Sequence, residues 1–252
     1  MKSSLTEEFY KFRHQKTFLY GILALLLTMT YFGFTAKVDQ SLMFFGFGAI
    51  QWIPIILITV GSSFFAMEYT NNTIVILLYK NSSKLKIYVA KLLIIFLYGV
   101  LLAIIAILFT FILKFVLLGN KYSWLTTYLG RGTLLHILIL NMVGTIVYST
   151  FIVTLSFMLI MLVRVNVAVI GIGLAIGFLG SSISVALMKS FSSLVGILKW
   201  NPLNMIFVMQ QLSNSSYAHI SNLSTVQIVL ATILYGSIFA EVGFVLFKHR
   251  RV

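Results

Sequence analysis

Charged residues are widely spaced along this chain, and the stretches between them are apolar on every face. Most of the sequence therefore lacks the periodicity of a half-buried helix or strand. Six apolar stretches reach the length of about 18 residues that a helix needs to cross a hydrocarbon core. They predict spans at 17–36, 42–67, 92–113, 134–157, 167–187 and 226–247. Lys16 and Lys37 bound the first, Lys91 and Lys114 bound the third, and the sixth ends on Lys248, His249, Arg250 and Arg251. The second ends at Glu68 and carries Pro54, which reads as a kink or a hinge. The uncharged stretch from 132 to 163 exceeds one upright span, so the fourth helix is expected to leave a tail reaching Arg164. Barrel strands would alternate apolar and polar at period 2, which these runs do not do. The expected fold is all-α: a polytopic membrane protein with six transmembrane helices in one domain, 1–252, and an outer loop over 188–225.

Residues 4–16 have a different pattern. Ser4-Leu5-Thr6-Glu7 reads as a capping box. Leu5, Phe9 and Phe12 then recur at i, i+4 and i+7, with Glu7, Glu8, Lys11 and His14 assigned to the opposite side. This predicts an amphipathic elbow helix in the plane of the inner leaflet, or a basic anchor that fixes topology. Cleavage after Ala36 would need a small residue where Phe34 stands, so the first span is expected to remain as an anchor.

Composition sharpens the membrane reading. Of 252 residues, 60% are hydrophobic and 9% charged, far from the roughly half and quarter of soluble domains. The 18 Lys+Arg against 5 Asp+Glu give a net charge of +13. In a soluble protein this would suggest nucleic acid; here it reports topology, and no nucleic-acid partner is expected. An N-in/C-in arrangement puts 12 of the 18 basic residues on the cytoplasmic side, beside anionic membrane lipid. Tyr122, Trp124, Tyr128 and Trp200 then fall near the outer interface.

The chemistry that can be excluded narrows the function. There is no cysteine for disulfides, thiolate metal sites or nucleophilic catalysis. No G-x-x-x-x-G-K-[ST] loop occurs, and no segment has the polar surface of an ATPase domain, so any ATP-driven activity must use another subunit. The histidines lack zinc-protease spacing, and no acid, nucleophile and base group together for an intramembrane enzyme. Gly171, Gly173 and Gly177 make a G-x-G-x-x-x-G inside an apolar span rather than a dinucleotide loop. Gly173, Gly177 and Ser181 at four-residue steps are expected to let a second helix pack closely. Glu241 is the one acid inside a span, and a mid-bilayer charge costs about 2.5–3.5 kcal/mol, less near an interface. It reads either as a proton or substrate site, or as a carboxylate satisfied by Lys248, Arg251 or a neighbouring helix.

The connection from Glu68 to Lys91 carries the remaining signal. Its short apolar stretch, 74–78, is too short to span and lies between Asn71-Asn72-Thr73 and Lys80-Asn81-Ser82-Ser83. The pattern of elbow, acid at the end of the second span, Glu68-Tyr69-x-x-x-Thr73, Ile76-Leu77-Leu78 and Lys91 opening the third span resembles the membrane subunit of ABC-2 type exporters. Asn72 stands where members of that family tend to carry Gly. A closer likeness is to the permeases of phenol-soluble modulin exporters and related bacteriocin immunity transporters. The resemblance implies a protomer in the bacterial cytoplasmic membrane that pairs with a second permease, identical or not, and with cytoplasmic ABC ATPases that bind ATP and Mg. It further implies that Glu68, Tyr69, Asn71, Asn72, Thr73, Tyr79 and Lys80 form the ATPase-coupling segment, with Arg164 and Asn166 as a second contact. The implied cargo is amphipathic or hydrophobic peptide, exported by alternating access. No cofactor is expected on this chain. The alternative is a proton-coupled or stand-alone transporter or immunity protein using Glu241.

Overall fold

The computed structural model describes residues 2–70 and 83–249. Among them the regular structure is helical: α1 (Lys2–Arg13), α2 (Lys16–Thr35), α3 (Gln40–Phe44), α4 (Ala49–Thr70), α5 (Lys84–Leu118), α6 (Leu134–Val163), α7 (Asn166–Ser190) and α8 (Thr225–Lys248). Short helical turns connect α7 to α8. Six helical segments are long and apolar enough to cross a membrane: α2, the α3–α4 segment, α5, α6, α7 and α8.

Several helix ends differ from the limits of the apolar runs. α5 starts at Lys84, well before the apolar run at 92, and continues to Leu118. Its 35 residues extend about 52 Å, against a hydrocarbon core of about 30 Å. Lys and Leu are both good helix formers, so the basic residues interrupt the hydropathy and not the helix. At the far end, Lys114 Nζ donates to the carbonyl of Gly119, the residue that caps α5, at 2.6 Å, placing a cation beside the helix C-terminus.

The second span is not continuous from residue 42. Gly46, Phe47 and Gly48 all have positive φ (59°, 49° and 85°), which ends α3 and re-aims the chain into α4. Asp39 caps α3 by accepting from the Leu42 N–H at 2.9 Å. Slight burial pushes its carboxyl pKa up, but hydrogen bonds from the Ser41 hydroxyl and nearby backbone N–H groups outweigh this and hold it below the usual value. The Phe44 carbonyl, left open by the break, accepts from Asn141 Nδ2 of α6 at 2.8 Å. Ser213 Oγ donates to the Oδ1 of the same side chain at 2.6 Å. Asn141 thus joins α3, α6 and the connection to α8.

α6 is the central helix, packing against α4, α5, α7, α8 and the short turns. Its buried Thr and Ser hydroxyls bond along their own backbone: Thr145 Oγ1 donates to the Asn141 carbonyl and Ser149 Oγ to that of Thr145. In a lipid-surrounded bundle this leaves few polar atoms without a partner. At Gly144 the backbone of the connecting turns comes so close that an added Cβ would lie 2.9 Å from Met209 Cα. The connection itself folds around buried amides. Asn204 Nδ2 donates to the Lys199 and Ser221 carbonyls at 2.6 and 2.8 Å, and Gln211 Nε2 donates to the Leu223 carbonyl at 2.8 Å.

Candidate functional site

One end of the bundle gathers α1, the last turn of α4, the first turns of α5, the α6–α7 junction and the end of α8. Its centre is Lys91, which is wholly buried on the third turn of α5. Lys91 Nζ lies 2.6 Å from Glu8 Oε2 of α1 and 4.0 Å from the centroid of the Phe64 ring of α4. Glu8 Oε1 also accepts from Lys11 Nζ at 3.0 Å. Phe12 sets its ring edge-on against Phe64 and Tyr98, with centroids 5.1 and 5.2 Å away. Tyr98 in turn donates to the Phe18 carbonyl in the first turn of α2 at 2.8 Å. The elbow is thus fastened to α4, α5 and the start of α2 at once.

This geometry corrects the face assigned to the elbow. The helix begins at Lys2, so Ser4 lies inside it rather than at its cap. Glu8 is only 3% exposed, whereas Phe9 is 52% exposed. The inward stripe runs through Leu5, Glu8 and Phe12, because Lys91 offers a buried cation opposite Glu8. A carboxylate can enter such a site only when paired and hydrogen-bonded. Periodicity within α1 alone could not reveal this; the signal lay in Lys91 of another helix.

Glu68 and Tyr69 occupy the last turn of α4. Asn71, Asn72, Thr73, Tyr79 and Lys80 lie outside the described residues. Across the same end, Arg164 closes α6 in the left-handed conformation with φ of 64°, and α7 starts at Asn166. Asn166 Nδ2 donates to Ser63 Oγ of α4 at 3.0 Å. Lys84 Nζ donates to the Lys248 carbonyl at the end of α8 at 3.0 Å. The structure therefore brings the 164–166 junction beside the end of α4 that leads into the segment 71–82.

Gly173 and Gly177 face α4. A Cβ on Gly177 would sit 2.7 Å from Ile55 Cγ1, and one on Gly173 would run into Ile58. Ser181, one turn further along, helps line a cavity of about 300 Å³ toward the opposite end. The cavity lies between α2, the α3–α4 break, α7 and the connecting turns. Phe32, Phe45 and Phe178 line it together with Gln51, Ser181 and Gln210. Glu241 is exposed on α8, on the same outward stripe as Leu234 and Val245, and does not point into the bundle.

The comparison with known families agrees with this architecture. A family model described as ABC-2 family transporter protein matches residues 4–180, more than half of the chain and the part that contains the whole Lys91 end except α8. No curated protein matches the chain. Proteins of that family are multi-pass membrane components that work with an ABC ATPase and generally lack one of their own. The elbow, six membrane-spanning helices and family match together show that this chain belongs to the ABC-2 transporter family.

Proposed function

We propose that the chain is the permease subunit of an ATP-driven exporter in a bacterial cytoplasmic membrane, with the Lys91 end facing the cytoplasm. In this reading, residues 68–80 seat in a partner ATPase that holds the ATP and Mg, and the 164–166 junction makes the second contact. A second permease, identical or different, completes the pathway. Alternating access driven by ATPase closure moves amphipathic or hydrophobic peptides out of the cytoplasm or the inner leaflet.

The observation that carries this reading is the buried Glu8–Lys91 pair over Phe64. It ties the elbow to the two helices that flank the segment 71–82. A push on that segment would then be passed to α1, α4 and α5 as one unit. The cavity near Gln51, Ser181 and Gln210 suits amphipathic cargo, since aromatic walls carry a few amide and hydroxyl groups. Glu241, on the outward stripe of α8, lends no support to proton coupling.

The test is co-purification with an ABC ATPase encoded beside the gene. The chain is expected to retain that ATPase in detergent. Combining Lys80→Glu with Asn72→Pro should abolish retention and transport while membrane insertion stays normal. Unchanged transport in that double variant would overturn the coupling assignment.

A further inference from the structure

Along the outer surface of α5, two depressions share Val89 and Leu93 and so form one groove. The half nearest the Lys91 end has a volume of about 400 Å³, and its mouth is framed by Leu5 of α1, by Ser83 just before α5 and by Lys86 of α5. The other half, about 250 Å³, continues between α5 and α6 to Phe96 and Val153. Lys86 is exposed at the mouth, and the Ser83 hydroxyl makes no capping bond to the helix that follows it.

Two threonines line the deep half, yet neither presents a hydroxyl to it. Thr150 Oγ1 donates to the Val147 carbonyl, and Thr154 Oγ1 donates to the carbonyls of Thr150 and Phe151. With those groups bonded to their own helix, the wall facing the groove is hydrocarbon. From Lys86 to Phe96 the helix rises about 15 Å, half of a hydrocarbon core of about 30 Å. The groove therefore joins an exposed cation to an apolar wall that runs from Val89 to Phe96, about 10 Å or two-thirds of a leaflet.

We propose that this groove is a binding site for an anionic phospholipid, its phosphate at Lys86 and Ser83 and one acyl chain lying along Val89, Leu93 and Phe96. Charge and the apolar wall both select this occupant. A zwitterionic lipid gains less from Lys86, and an extended peptide would bring backbone N–H and C=O groups to a wall with no partners for them. Leu5 closes one side of the mouth, so the bound lipid also touches the elbow.

The test reconstitutes the full chain in nanodiscs of phosphatidylcholine containing a minority of phosphatidylglycerol, extracts it gently and counts retained lipids by native mass spectrometry. The wild-type chain is expected to be enriched in phosphatidylglycerol over the bulk ratio. Lys86→Gln should cut that enrichment about fivefold, as expected for one Lys at a membrane surface. Leu93→Trp, which fills the groove where its halves meet, should remove retained lipid of both kinds. Lys199→Gln, at the opposite end of the bundle, should leave enrichment unchanged. Val89→Phe is a smaller filling that keeps the test open if Leu93→Trp fails to fold, as judged by size exclusion and circular dichroism. Enrichment that survives Lys86→Gln, or retention that survives a folded groove-filling variant, would overturn the proposal. So would a fluorescent amphipathic peptide that loses binding in the filled variant while phosphatidylglycerol retention is unchanged.

Discussion

Lys91 and Glu8 are unusual residues for the interior of a membrane bundle, and their burial sets their effect on stability. Removing Lys91 leaves the buried Glu8 with only the half-exposed Lys11 as a cation, and breaking a buried pair in this way costs about 3–5 kcal/mol. Lys91→Met is therefore expected to lower the thermal midpoint in detergent strongly, and adding Glu8→Leu should restore most of the loss. A double variant no more stable than the single one would show that the pair is not the source of the effect. Glu241 lies at the other extreme. Because it stands on the outward stripe of α8, Glu241→Gln is expected to leave ATP-driven transport unchanged in vesicles; a collapse of transport would restore the proton-coupled alternative. Single residues were unevenly legible in the sequence. Phe12 could be read as buried from the spacing in α1, but Glu8 could not, because its environment comes from a helix far along the chain.

Among the elements, the six apolar cores were legible because the bilayer demands about 20 apolar residues and few other structures contain such runs. Their ends were less so. Hydropathy marks where the apolar run stops, while α5 carries its helical hydrogen bonds on through Lys84, Lys86 and Lys91. The break between α3 and α4 depends on the backbone angles of Gly46 to Gly48 and on Asn141, a long-range partner that periodicity does not reveal. The turns between α7 and α8 escaped for a similar reason, since their buried amides bond to backbone and form no repeating pattern. The α4–α7 contact gives a direct test. Gly173→Val should collide with Ile58 and cost about 1–3 kcal/mol, and Ile58→Ala in the same chain should recover part of it. Equal stability of the three proteins would show that the two helices separate without cost. The absence of native cysteine also permits Ser63→Cys with Asn166→Cys, which a short thiol crosslinker should join if α4 and the α6–α7 junction meet as described.

At the scale of the whole molecule, the distribution of basic residues predicts an orientation that can be tested. The N-in/C-in arrangement is expected to make Ser123→Cys and Ser192→Cys react with a membrane-impermeant maleimide in intact cells, whereas Ser83→Cys should react only after permeabilisation. The opposite pattern would invert the topology and move the proposed ATPase contact to the wrong side. The Glu8–Lys91 pair also has a consequence in time. Glu8 leaves the ribosome long before Lys91 and cannot be neutralised by it until α5 enters the membrane. During synthesis the elbow is therefore expected to stay at the lipid surface, so that its seating would report the arrival of the third span. Chains halted before residue 84 should expose α1 to protease, and chains extended past α5 should protect it. A static ion pair thus becomes a record of the order in which the protein is built.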